Sequence, residues 1–162
     1  MINSMIGLLL TLAAIGAGLM AGVYFAFSGF IMQSLDRLDS ANAIDAMNAI
    51  NEVILRSWFM PVFFGSTLLY VILAAMAVFD ASLADRLMLF TAASIYVAGM
   101  FLCTVMFNVP LNNRLANAGK DGIAQQETWA HYLKYWTRFN HLRTICSLTA
   151  SILSVLYLVN YT

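Results

Sequence analysis

Charge is what this chain has least of. Eight Lys plus Arg and eight Asp plus Glu are all the formal charge among 162 residues, 10% of the chain, where a soluble domain carries about 25%. So few ionised groups cannot cover the surface of a water-soluble domain, so the surplus apolar surface must face another solvent, and that solvent is lipid. The signs cancel to a net charge of zero, which removes the broad cationic field that nucleic-acid binding needs and excludes that partner. Cysteine is scarce as well: Cys103 and Cys146 lie in apolar runs, where they read as small packing residues rather than a disulfide or metal framework. Proline occurs only at 61 and 110. No Pro-rich linker, repeat or low-complexity tract divides the chain, so one domain over 1–162 is expected.

What the chain has in abundance is apolar side chains, 62% of the total. A membrane-crossing helix needs about 20 mostly apolar residues at about 1.5 Å rise each. Residues 6–32, 57–79, 87–109 and 144–161 meet that requirement, and no charged side chain occurs before Asp36. Pro61 falls in the first turn of the second span, where its missing N–H costs little. Four separate spans of this length are too long for barrel strands, so the expected fold is all-α, a four-transmembrane-helix bundle. No Lys or Arg precedes the first apolar run, as one would before a cleavable signal, so that span is expected to be retained.

Four crossings put both termini and the short link 80–86 on one side, and the longer links 33–56 and 110–143 on the other. The long links hold Arg37, Arg56, Arg114, Lys120, Lys134, Arg138 and Arg143, against Arg86 alone opposite. Positive charge prefers the cytoplasm, so the long links are expected inside and both termini outside. In the first span, Gly18 and Gly22, with Ala17 and Ala21 beside them, form a small face. Close packing within the chain is its first reading, and a seam to a second copy, giving a homo-oligomer, is the alternative.

The scarce polar residues fall into three groups. Asp39 or Ser40 can cap a membrane-surface helix running towards Arg56, in which Ile44, Asn48, Asn51 and Leu55 share a face. The two amides there serve either the local backbone or a ligand. The third span ends in the run Asn108-Val109-Pro110-Leu111-Asn112. Proline crowds the preceding turn, so a kink or stop is expected; a helix that persists brings Asn108 and Asn112 to one face. In the last link Asp121 can start a helix, after which Trp129, Tyr132, Trp136, Asn140 and Arg143 recur at 3, 4, 4 and 3 and form one stripe. Ser147, Ala150 and Ser154 continue that stripe into the fourth span, which points to one long helix with a helical extension ahead of the membrane, bent or straight at Arg143.

An arginine facing lipid costs about 2.5 to 3.5 kcal/mol at mid-membrane, so Arg143 should turn inward or snorkel. Turned inward it needs acceptors, and the carbonyl oxygens of Asn108, Asn112 and Asn140 or backbone freed near Pro110 can supply them. Helical rise puts Tyr24 and Ser151 about 12 Å below the cytoplasmic ends, with Thr104 shallower. A cytoplasm-facing cup follows, walled by Phe27, Tyr132 and Trp136, suited to a flat apolar ligand with a few oxygens. An interfacial aromatic belt with structural glue is the competing reading of the same residues. His131 and His141 lie off the stripe, about 15 Å apart along one helix, too far to chelate one ion. No metal-ligand spacing, phosphate loop or nucleophile motif is present, so no metal or nucleotide cofactor is expected.

The glycine-rich first span running into GVYFAFSGF, the MNAIN segment at 47–51, NVPLN at 108–112 and the stretch 129–143 ending FNHLR resemble the anthrone oxygenase family of small membrane proteins over essentially the whole chain. The resemblance implies oxidation of an aromatic carbon acid of the anthrone type by molecular oxygen, without an evident cofactor. Arg143, Asn108 and Asn140 would then stabilise oxyanion charge, with His141 as the candidate base. Tyr24, Phe27, Asn48, Asn51, Asn112, Trp129, Tyr132 and Trp136 would hold the substrate. A non-catalytic protein that binds lipid or a quinone, or serves a partner complex, is the runner-up, and a transporter the third reading.

Overall fold

The computed structural model describes residues 2–81, 83–119 and 121–161, with side chains from residue 5 onward; Lys120, one of the cations used to infer orientation, lies outside the described residues. Five helices account for it: α1 (Met5–Leu35), α2 (Ser40–Ile54), α3 (Phe59–Phe79), α4 (Arg86–Ala116) and α5 (Gly122–Tyr161). All but α2 are long and apolar enough to cross a membrane, which makes this a multi-pass membrane protein. No strand occurs among the described residues.

The bundle forms because each long helix has a narrow buried seam and otherwise apolar, exposed faces. α1 packs along α5 and α3, and α4 packs on α3 and α5. Close approach in α1 occurs at Gly16, where a Cβ would come within 2.7 Å of the Ser66 Cβ; Gly18 faces the Ser151 hydroxyl, whereas Gly22 is open. The small face named from sequence is therefore an intramolecular seam over Ala17, Gly18 and Ala21 only, with the tightest approach at Gly16, nearly two turns from Gly22. The membrane core is closed by hydroxyls that bond one another: Tyr96 with Ser66 at 2.6 Å, Tyr70 with Ser154 at 2.9 Å, and Ser151 to the Ala14 carbonyl at 2.9 Å. In lipid such groups find partners inside the bundle or destabilise it.

Three long helices, α1, α4 and α5, overshoot the bilayer. α5 has 40 residues, about 60 Å, twice the hydrocarbon thickness of about 30 Å. Its first half leaves the membrane and, with α2 and the ends of α1 and α4, makes a second core of Met32, Ile44, Met47, Leu115, Trp129 and Trp136. Asp39 caps α2 by accepting from the Asn42 backbone N–H at 3.3 Å. The molecule is thus a membrane bundle with a cap seated on one end.

The expected interruption at Pro110 takes another form. α4 does not stop there but runs on to Ala116. Immediately before the proline, Val97–Leu102 and Thr104–Asn108 are wound as π-helix. Proline lacks an N–H and crowds the carbonyl four residues earlier, and a wider turn relieves both at once. A third π turn, Phe27–Ile31, lies in α1. Just ahead of it the Tyr24 carbonyl accepts a hydrogen bond from the Asn140 amide at 2.7 Å, the kind of side-chain insertion that loosens the ladder.

Candidate functional site

Between bundle and cap lies a cavity of about 220 Å³. α2 roofs it through Met47 and Asn51, α1 contributes Tyr24 and Phe27, and α5 contributes Trp136 and Arg143. The polar stripe of α5 is what makes it a site. Trp129, Tyr132, Trp136, Asn140, Arg143, Ser147, Ala150 and Ser154 are all buried, as the 3 and 4 spacing requires, and the helix is continuous through Arg143.

Arg143 is the centre of the arrangement. It is 4% exposed, and no carboxylate reaches it among the described residues, whose ion pair is Arg56 with Glu52 at the surface, 3.8 Å apart. Its Nη2 donates to the Asn140 carbonyl oxygen at 2.7 Å and its Nη1 to the Thr104 hydroxyl at 3.4 Å. The guanidinium carbon lies 4.3 Å from the Tyr24 ring centre and 5.0 Å from that of Trp136. Two ring faces and two neutral acceptors offset part of the desolvation of this cation, but none of them carries the opposite charge.

Three buried N–H groups of cavity-lining residues have no acceptor: Arg143 Nε, Trp136 Nε1 and Asn51 Nδ2, the last beside the Tyr132 hydroxyl without completing a bond to it. A buried donor without a partner is costly, and one on the cation itself and two on other residues that line its cavity favour an oxygen-bearing ligand with negative charge. Asn112 adds to this. Its carbonyl oxygen accepts from Tyr132 at 2.8 Å, so what it can still offer the cavity is its amide N–H.

The structure separates the expected residues into those that line the cavity and those that stand behind it. Arg143, Tyr24, Phe27, Asn51, Asn112 and Trp136 line it. Asn140 has both amide hydrogens engaged, on the Tyr24 carbonyl and on Ser28 Oγ at 2.6 Å, and its oxygen on Arg143. It has no donor left for an oxyanion and serves as a positioning residue. Asn108 is buried with its amide on the Trp136 carbonyl at 3.3 Å, so it ties α4 to α5. Tyr132 and Trp129 stack beside Trp136, and Trp129 donates to Asp36 at 3.0 Å. Asn48 is half-buried and His141 exposed, both outside the lining.

Sequence reasoning missed the aromatic floor of the cavity. Phe59 and Phe63 stack at 5.8 Å and Phe63 meets Phe101 at 5.5 Å, all three lining residues. The Phe59, Phe63 repeat four apart was the available signal, hidden among many equally apolar neighbours.

A family model described as anthrone oxygenase matches residues 55–153, more than half of the chain. The chain belongs to the anthrone oxygenase family. That match spans α3, α4 and most of α5, including NVPLN and the whole 129–143 stripe, and leaves the α1 wall and the α2 roof outside it. No curated protein and no solved structure matches the chain. For a member of the anthrone oxygenase family, the cavity's uncompensated guanidinium among aromatic walls is the feature that has to be explained.

Proposed function

We propose that the Arg143 cavity binds the enolate of a flat, anthrone-like carbon acid and that the protein oxidises it with molecular oxygen. The observation that carries this reading is the buried cation, whose own Nε and two N–H donors of other cavity-lining residues have no partner. Such donors stabilise charge as it develops on a carbonyl oxygen when the neighbouring carbon loses a proton, and a water-poor site strengthens the effect. The chemistry balances with oxygen alone. The methylene carbon gives up two hydrogens, one oxygen atom becomes the new ketone, and the other leaves as water, so the four electrons lost by carbon are taken by O2. No His, Asp or Glu lines the cavity, and His141 is exposed, so the first proton is lost through the acidity of the substrate's own phenol and enol, which Arg143 increases by stabilising the anion. Tyr24, Phe27 and Trp136 hold the aromatic body; Asn51 and Asn112 bond its oxygens. The cap faces the cytoplasm on this reading, supported by the excess of Arg and Lys on the long links.

The test is oxygen uptake by purified protein given emodin anthrone. Arg143→Ala is expected to lower kcat/KM by about a hundredfold or more, while a folded variant with unchanged uptake would remove Arg143 from the mechanism. A carrier that binds the same class of ligand without oxidising it is the second reading, favoured by the lack of a protein base in the cavity. Its signature is binding without oxygen uptake.

A further inference from the structure

The polar pole of the cavity faces the interior of the bundle, whereas its rim does not face water. Phe64, Val105 and Val109 line the cavity and are 54%, 48% and 41% exposed. They flank a cleft between the start of α3 and the upper half of α4. α3 packs on α4 over Arg86–Leu102 but has no comparable contact with Thr104–Ala116, so the two helices part at the second π segment, Thr104–Asn108. Helical rise locates that cleft. Phe64 is about 22 Å from Phe79, and Val105 about 27 Å from Leu87, both measured from the short-link end, which keeps these two within a hydrocarbon layer of about 30 Å, with Val109, about 33 Å from Leu87, at its edge. Arg143, about 27 Å from Tyr161, sits at the same level. Above the cavity α2 lies across it through the buried Met47 and the half-buried Ile50 and Asn51, with Leu55 exposed just beyond its end.

We infer that the cavity fills sideways from the bilayer, through the cleft at Phe64 and Val105, with a membrane-dissolved molecule bearing one oxyanion on an apolar body. The inference rests on the reading of the Arg143 cavity as the ligand site and adds the route and the physical class of what can use it. Apart from Arg143 no ionised side chain among the described residues lines the cavity, so one negative charge is matched and a second is not. The apolar rim lets a long hydrocarbon substituent stay in lipid while the charged end reaches the guanidinium, an arrangement that a mouth on the water side would forbid.

The experiment reads binding, not turnover. The protein carrying Trp58→Phe, which removes an indole 86% exposed, is reconstituted in phosphatidylcholine vesicles. Energy transfer from tryptophan to anthracene follows two probes, free 9-anthracenecarboxylate and the same acid bearing a hexadecyl chain that confines it to the bilayer. Both are expected to bind. Val105→Phe, which fills the cleft without adding a tryptophan donor, should slow uptake of both at least tenfold, Val105→Ala and Phe64→Ala should speed it, and Arg143→Gln should abolish saturable transfer. Exclusion of the hexadecyl probe while the free acid binds would overturn the inference, as would failure of both probes. If Val105→Phe does not fold, uptake unchanged in both alanine variants would overturn it instead. A protein that binds both probes yet leaves emodin anthrone untouched loses the catalytic reading and keeps this one. One that oxidises the anthrone but excludes the tethered probe loses only this one.

Discussion

At the residue scale the deciding fact is which atoms of an amide are already spent. Asn140 and Asn112 look alike in sequence, two asparagines near a membrane surface, yet Asn140 gives both hydrogens to α1 and its oxygen to Arg143, while Asn112 accepts from Tyr132 and keeps its N–H. Asn140→Asp is the sharp test of that difference. A carboxylate there would lie 2.7 Å from Nη2 and supply the counter-charge that Arg143 otherwise lacks. Binding of 9-anthracenecarboxylate is expected to weaken at least tenfold, because the anion site is then filled from within. Undiminished binding in the folded variant would mean that the guanidinium's charge does not select the ligand. The stripe of α5 was legible to the residue, since 3 and 4 spacing specifies one face of a helix whatever surrounds it. The bonding of each amide was not, because it depends on which carbonyl a neighbouring helix presents.

At the scale of elements, α4 and α5 meet with no room to spare. A Cβ at Gly99 would overlap both the Sγ and the Cβ of Cys146, so the glycine sets how closely the first π segment approaches α5. Gly99→Ala is expected to destabilise the protein by about 1–3 kcal/mol, read as a lower melting temperature in detergent. Cys146→Gly, which removes both colliding atoms, should restore most of the loss, and additive losses in the double variant would show that the contact is not the cause. This pairing could not be read from the chain, where Gly99 and Cys146 are 47 residues apart and neither has a periodic signature. The helices themselves could be read. Apolar runs long enough to cross declared four of them, and Asp39 followed by an amphipathic pattern declared α2. Pro110 signalled a disturbance correctly placed but differently realised, because a proline fixes only its own φ and leaves the preceding turns to accommodate it.

For the whole molecule, the division into membrane bundle and cap raises the question of which side the cap occupies. The charge asymmetry predicts the cytoplasm. In a Cys103→Ala, Cys146→Ala background, a membrane-impermeant maleimide applied to intact cells should label Ala81→Cys on the short link, and should reach Asp45→Cys on α2 only after permeabilisation. Both positions are exposed. The reverse pattern would invert the molecule and put the cavity roof outside. Solvent, helix number and the buried face of α5 were determined by the amino-acid sequence alone, because they depend on composition and on the fixed 3.6-residue turn, properties that need no partner. The tertiary structure alone decided that no carboxylate among the described residues answers Arg143, that Phe59, Phe63 and Phe101 floor the same cavity, and that Phe64 and Val105 stand exposed at its rim. Each of those depends on distances between helices far apart in the chain, and periodicity within one helix carries no information about them.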